Sequence, residues 1–308
     1  MIRTRGAMRL AAALAALALV VGCQQNVQPS PTPTTTASPT ATRPRFELAT
    51  YQFALQTKGK IRVAIRSGAL PLSDRPTSGN SIGKAQGFEP DLAREIAKAI
   101  FGTADDPDGH IEWISVDDST RVSALTSAQA DISMAAIAIA DDTRKTIDLS
   151  DPYLTLGQRL LVKKSNDQIR EIADVATGEQ TVCAVKDSNS ETELKKITND
   201  RAKILELSTF DFCMQALVSG AADAVVNDEA ALLPLVAKQP NDLKLAGKAF
   251  ATHGLGIGIE KNASGDRQGF LEFVNSTLLA LVANRTWAKL YQQDVAPVSG
   301  DTKQLPTD

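Results

Sequence analysis

The sequence predicts an α/β fold, and three observations carry that expectation. Short apolar strands alternate with helices from about residue 60 to residue 290. The helical stretches repeat apolar side chains every three or four positions. Of 308 residues, 43% are hydrophobic and 22% charged, enough apolar content to build one large or two medium domains. Strands are expected at 60–65, 111–114, 131–134, 159–163, 181–185, 203–207, 223–226 and 254–259. The 90–100 segment is expected to be a helix, with Pro90 in its first turn and Leu92, Ile96 and Ile100 at four-residue spacing. Further helices are expected at 120–128, 190–198, 209–219, 228–237 and 266–290. Such alternation predicts parallel sheets covered by helices on both faces.

Composition excludes several function classes. Thirty-three Lys and Arg against 36 Asp and Glu give a net charge of −3, without the basic excess of a nucleic-acid binder. With 2 His and 3 Cys, neither a zinc finger nor an iron–sulfur cluster is expected, and no cofactor is assigned. His110 and His253 are too far apart in sequence to suggest a metal pair and read as surface or hinge residues. No Ser–His or Cys–His constellation is evident, so no enzyme is expected.

The N-terminus has the layout of an export signal. Arg3, Arg5 and Arg9 precede an apolar run from Leu10 to Val21, too short for a spanning helix of about 20 residues. The run ends in Val20-Val21-Gly22-Cys23, which resembles a bacterial lipobox, in which the Cys carries the lipid. Residues 1–22 are therefore read as a lipoprotein signal peptide, with Cys23 lipidated. Residues 23–57 are read as anchor and tether: five prolines and many threonines between 24 and 46 do not build a packed core. The expected location is extracytoplasmic, attached to the cell membrane by the N-terminal lipid.

If Cys23 is lipidated, Cys183 and Cys213 remain, an even pair in an exported protein. Cys183 lies in an apolar strand. Cys213 shares one helical face with Ala216 and Leu217 and points toward the sheet. The two are expected to form a disulfide, the alternative being two buried thiols.

The order of short motifs in the body resembles the family 3 extracellular solute-binding proteins, the polar amino-acid receptors of ABC importers. The resemblance rests on Gly87-Phe88-Glu89-Pro90-Asp91-Leu92-Ala93, Thr120-Arg121-Val122-Ser123-Ala124-Leu125, Asp131-Ile132, and Asp148-Leu149-Ser150-Asp151-Pro152-Tyr153. It continues through Ala222-Asp223-Ala224-Val225-Val226-Asn227-Asp228 to Trp287-Ala288-Lys289-Leu290-Tyr291. It spans about residues 58 to 293. The two cysteines add a likeness to the Gram-positive glutamate- or aspartate-binding lipoproteins.

The resemblance implies a two-lobed, periplasmic-binding-protein-like (type II) α/β fold with a hinge and an interlobe cleft. Lobe 1 would comprise 58–156 and 252–295, lobe 2 would comprise 157–251, and 296–308 would form a C-terminal tail. The implied function is a lipid-anchored receptor that binds a small polar solute, an amino acid above all, for an ABC permease. The alternatives are a sensor serving a membrane signalling partner and a divergent binder of another solute.

A buried amino acid needs a cation for its carboxylate and an anion for its ammonium. Asp228 matches the family's ammonium-binding Asp and equally suits a helix N-cap. Ser188 and Asn189 stand where the family donates hydrogen bonds to the ligand, although capping alone also accounts for them. The family's carboxylate-binding Arg falls on Thr143, with Arg144 one residue later and so about 100° around a helix. Arg66, after the first strand, Arg121, in the Ser-Thr-Arg segment, and Arg144, if a local shift reorients it, are candidate ligand-binding cations, Arg66 and Arg121 each equally readable as a surface residue. Asp118, just before that segment, is a further ligand-binding candidate, and Ala69 and Leu72 replace the usual sandwiching aromatics. Gln158 lies at the expected crossover.

Cys23→Ala is expected to move the protein from the membrane to the soluble fraction on cell fractionation. Unchanged membrane association of the variant would remove the lipid-anchor reading.

Overall fold

The structure, a computed structural model, describes residues 44–301 except 79–80, 103–105 and 262–265. The expected signal peptide, Cys23 and most of the tether lie outside the described residues. In chain order the elements begin with helix α1 (Tyr51–Lys58), strand β1 (Ile61–Arg66) and the ribbon β2 (Thr77–Ser78) and β3 (Ser81–Ile82). Helix α2 (Phe88–Phe101), β4 (Ile111–Val116), α3 (Ser123–Thr126), β5 (Ile132–Met134), α4 (Asp141–Thr146) and β6 (Ile147–Leu149) follow. Next come β7 (Leu154–Lys163), α5 (Ile172–Val175), β8 (Thr181–Val185), α6 (Asn189–Thr198), β9 (Lys203–Leu207) and α7 (Phe210–Ser219). The chain then forms β10 (Ala224–Asp228), α8 (Glu229–Lys238), β11 (Leu243–Leu255), β12 (Gly258–Glu260), α9 (Asp266–Ala283), α10 (Thr286–Asp294) and α11 (Ala296–Ser299).

Among the described residues there are two five-stranded sheets. One has the order β4-β1-β5-β12-β6 and the other β11-β7-β10-β8-β9. Both are mixed, which corrects the expectation of parallel sheets. The first pairs β1 in parallel with β4 and β5 but sets β12 antiparallel to β5 and β6. The second pairs β8 in parallel with β9 and β10 but sets β7 antiparallel to β10 and β11. The antiparallel members are the strands by which the chain leaves the first sheet and returns to it, so no helical crossover reverses their direction.

β7 and β11 serve both halves. Leu154, Leu156 and Leu255 sit in the first core with Phe88, Ile96 and Trp287, whereas Leu160, Val162, Ala246 and Phe250 sit in a core of the second sheet. Leu161 points to that sheet's opposite face, with Cys183, Leu217 and Val225. This alternation, apolar on both sides, is what a sheet covered by helices on both faces requires. The two strands approach tightly at Gly157, where a Cβ would lie 2.6 Å from the Phe250 carbonyl oxygen. Only glycine fits that approach.

Helix α1 occupies residues that the sequence reading assigned to the tether. Thr50 caps it, Gly59 ends it in the left-handed conformation, and Leu55 is buried in the first core. Its Tyr51 hydroxyl donates to Asp131 at 2.7 Å, and Asp131 also holds Arg62 through Nη2 at 2.6 Å and its backbone N–H at 2.7 Å. Burial alone would raise the Asp131 carboxyl, but the hydrogen bonds from Arg62 and Tyr51 outweigh it and hold the group low. Two elements, α1 and β1, thus converge on one buried carboxylate, and the body includes residues from 51, ahead of the boundary at 58 expected from the sequence. At the other end, Ala296 and Ser299 of α11 are buried, so the start of the expected tail also belongs to the body.

Two expected helices change shape. The 120–128 helix contracts to Ser123–Thr126, because the Asp117 carboxylate takes the backbone N–H groups of Ser119 and Thr120 and folds them into a turn. The 266–290 helix divides at Arg285, which has φ 64°, and the break lets Trp287 donate from Nε1 to the Tyr153 carbonyl at 2.7 Å.

Cys183 and Cys213 form a disulfide between β8 and α7, with their Cα atoms 5.4 Å apart. The bridge closes a loop of 30 residues in sequence, for which chain entropy gives about 3–4 kcal/mol. The double variant Cys183→Ala/Cys213→Ala is expected to lose about that much in urea unfolding. A midpoint unchanged from wild type would show that the bridge adds nothing to stability.

Candidate functional site

Several charged groups named from the sequence gather where the two sheets face one another. Arg66 ends β1, and its Nε lies 3.4 Å from Asp118 Oδ1. Arg121, in the turn before α3, places Nη1 3.3 Å from the same oxygen. Asp118 itself is 65% exposed and bridges the two guanidinium groups from the solvent side. Arg121 Nη1 also donates to the carbonyl oxygens of Ala135 and Ala136, at 3.0 and 2.7 Å. The contacts found for Arg121 among the described residues all use Nη1, so Nε and Nη2 form its other edge.

Asp228 faces this cluster from the second sheet. It ends β10 and caps α8, with Oδ1 accepting the Ala230 N–H at 2.9 Å. Its other oxygen, Oδ2, lies 3.4 Å from His253 Nε2 and 3.5 Å from Gln158 Nε2, two long contacts from the paired strands β11 and β7. Burial pushes the Asp228 carboxyl above its usual range, and His253, the helix N-terminus, Arg121 and Arg66 pull it back. Arg66 and Arg121 therefore lie within electrostatic reach of a carboxylate on the other sheet.

The remaining sequence candidates divide. Ser188 caps α6 through the Glu191 N–H, and Asn189 is exposed at the first position of that helix. The next residue, Ser190, lies 3.4 Å from Asn227 Oδ1, which in turn accepts the Asp228 N–H at 2.8 Å. The start of α6 is thereby tied to Asp228. Asp187, which replaces the family's Gly, adopts φ 59° and donates its N–H to Glu191. Arg144 stands apart: it is exposed on α4, with Nη1 3.5 Å from the Leu149 carbonyl. Ala69 and Leu72, at the lost aromatic positions, are buried in the core.

Sequence reasoning missed three features. His253 read as a surface or hinge residue, and its pairing with Asp228 depends on strand register that no local pattern reveals. Behind Asp228, Glu229 accepts from Arg159 Nη1 at 2.8 Å, a buried ion pair between α8 and β7. The third is Glu89, inside the quoted Gly-Phe-Glu motif. Its Oε1 accepts the Tyr153 hydroxyl at 2.5 Å and the Ala136 N–H at 2.8 Å.

Two α/β halves joined by a pair of crossover strands, each presenting charged groups to the other, define a hinged solute-binding protein. The chain belongs to the bacterial extracellular solute-binding proteins, family 3, which it matches over residues 61–294. It is 29% identical over 213 residues to the ABC transporter glutamine-binding protein GlnH of Bacillus subtilis, covering 69% of this chain and 74% of that one. It is 24% identical over 242 residues to the glutamate-binding protein GluB of Corynebacterium glutamicum, covering 75% and 80%. Among solved structures it is similar to the ancestral cationic amino acid solute binding protein AncCDT-1, with a TM-score of 0.59 and 28% identity. That match covers 79% of this chain and 98% of the other. Among the described residues, no helix is long and apolar enough to cross a membrane.

The buried pair behind Asp228 generates a prediction with a defined sign. Burial raises the Glu229 carboxyl, against the pull of Arg159. A carboxyl raised in the folded state costs stability as pH climbs from its unfolded toward its folded value. Arg159→Met removes the compensating cation and widens that interval. The variant is expected to lose about 3–5 kcal/mol at neutral pH and less at about pH 5. Denaturation showing an equal loss at both pH values would mean that Arg159 acts by packing alone.

Proposed function

We propose that this chain is an extracytoplasmic, lipid-anchored receptor that holds an amino acid between its two lobes and delivers it to an ABC importer. The observation that carries the reading is the placement of two arginines on the first-sheet side and one carboxylate, Asp228, on the second-sheet side within their electrostatic reach. An α-amino acid has the complementary pair of charges. Its carboxylate would meet Arg121 and Arg66, and its ammonium would meet Asp228. The start of α6, with Ser188 and Asn189, adds hydrogen-bonding groups on the same side as Asp228.

The lobes would be 58–156 with 252–295, and 157–251, hinged where β7 and β11 cross at Gly157. The names of the bacterial relatives support an amino-acid ligand and an importer as partner. The lipobox-like Val-Val-Gly-Cys at 20–23 supports the anchor. On this reading Arg121 and Arg66 take over the carboxylate-binding role that the family pattern would place near residue 143.

A thermal-shift screen of the proteinogenic L-amino acids identifies the ligand, since binding raises the melting temperature by mass action. Calorimetry with the best hit then tests the site. Asp228→Ala leaves a buried ammonium unpaired, a loss of about 3–5 kcal/mol or roughly a hundredfold and more in affinity. Arg121→Ala or Arg66→Ala is expected to weaken binding by about tenfold or more, and Arg144→Ala to leave it unchanged. Normal binding by Asp228→Ala would place the site elsewhere. Loss at Asp228 without loss at either arginine would replace the amino acid with a solute lacking a carboxylate.

A further inference from the structure

The cleft arginine Arg121 is held by a device whose parts come from three separate segments. Its Nη1 is fixed by the carbonyl oxygens of Ala135 and Ala136. Both carbonyls can face one nitrogen because Ala136 takes a left-handed backbone, φ 51°. That conformation is unfavourable for a residue with a Cβ and persists only where surroundings enforce it. The enforcing contact is the bond from the Ala136 N–H to Glu89 Oε1 at 2.8 Å, and the same oxygen takes the Tyr153 hydroxyl at 2.5 Å.

Glu89 and Tyr153 are fully buried. Arg66 is within electrostatic reach of Glu89, and Arg121 of Tyr153. A carboxyl in such a place is an expensive way to fill space, since a Leu or Met of similar volume avoids desolvation altogether. What a hydrocarbon cannot do is accept two hydrogen bonds in fixed directions. The turn before α2 supports the aim. Gly87, with φ 105°, brings the chain against the backbone of Leu72, whose carbonyl accepts the Glu89 N–H at 2.8 Å.

We propose that Glu89 is the positioning residue for ligand carboxylate recognition: through Ala136 it holds the 135–136 carbonyls that orient Arg121, so that the free edge of the guanidinium meets the ligand. The proposal rests on the reading that Arg121 grips that carboxylate. It assigns Glu89 a specificity role, because a loosened Arg121 weakens carboxylate recognition and leaves the Asp228 side intact.

The test uses L-glutamine and L-glutamate as probes, with 4-aminobutanamide, which keeps the amine of glutamine and lacks its α-carboxylate. Glu89→Leu removes the acceptor, while Glu89→Gln keeps an acceptor oxygen. Calorimetry is expected to show Glu89→Leu weakening the amino acids by about tenfold or more, Glu89→Gln recovering most of that loss, and the amine unaffected by either. In an Arg121→Ala background, Glu89→Leu should cost nothing further, the signature of two residues acting as one unit. Equal losses in both backgrounds, or equal losses for amine and amino acid, would overturn the proposal.

A second measurement needs no ligand. The ¹H–¹⁵N signal of the Arg121 side chain, assigned by its loss in Arg121→Lys, should shift and broaden in Glu89→Leu and stay near its wild-type position in Glu89→Gln. An unchanged signal in Glu89→Leu would overturn the positioning role. If Arg121→Ala binds both amino acids normally, the reading of Arg121 as the clamp fails, and this signal still decides whether Glu89 orients the side chain. Should Glu89→Leu not fold, Tyr153→Phe removes one of the two donors to Glu89 and is read by the same signal, with the same two outcomes.

Discussion

The pairing of β7 with β11 is the constraint on which the rest of the structure depends. These two strands are shared by both halves, and their residues feed the core of each in turn. Their close approach at Gly157 fixes their register, and the irregularities between Ala246 and Phe250 and between Phe250 and His253 fall in the same stretch of β11. A bulge raises local twist and releases a strand from strict pairing. Gln158 and His253 stay in the ladder, paired with Phe250 and Leu156, and both side chains end beside Asp228. The strands that join the halves therefore also furnish the floor of the site.

Charge placement follows from that frame. Asp228 and Glu229 are consecutive acids with different surroundings. Asp228 ends a strand and keeps one oxygen for the α8 N-terminus and the other for loosely held donors. Glu229 is turned inward onto Arg159 and the Gly157 N–H. Removing Arg159 would leave two neighbouring carboxylates with one cation fewer between them, which is the more costly because burial already disfavours charge on both. The inner pair is best understood as the support of the outer acid. It ties α8, whose first turn caps on Asp228, to the strand that crosses between the halves.

The α/β order, most strands of the second sheet and the helices α2, α6, α7 and α8 were legible in the sequence, because each is a short apolar run or a helical period with a recognisable cap. Thr209 at the head of α7 and Ser188 at the head of α6 are examples. Strand direction was not legible: local periodicity is the same for parallel and antiparallel neighbours, and only the path of the chain between halves distinguishes them. Helix α1 was missed because its stability lies in distant partners, Asp131 and the first core, rather than in its own pattern. The site was legible in part. Arg66, named from its place after the first strand, and Asp118, Arg121 and Asp228, named from motif positions, gather in space, whereas Arg144, named from spacing, is exposed on α4 with its guanidinium at the Leu149 carbonyl. His253 belongs to the group by register alone, and Glu89 lay in a quoted motif without any local sign of what its carboxylate would hold.

On the proposed reading, the departure near residue 143 moves the carboxylate clamp from α4 to Arg121. A guanidinium on α4 would be oriented by that helix, whereas Arg121 needs orientation from elsewhere, because it sits in a turn whose own hydrogen bonds are taken up by Asp117. That orientation comes from carbonyls on a different segment, held in a strained conformation by a buried acid. Strain of this kind is kept only where the surrounding bonds determine it fully. Here those bonds run from α2 and from Tyr153, two regions that pack together in the first core through Phe88 and Trp287. Core packing, buried acid, strained peptide and cleft cation thus form one chain of cause. A change at any inner link would be read at the outer one, even though only the last stands at the surface of the cleft.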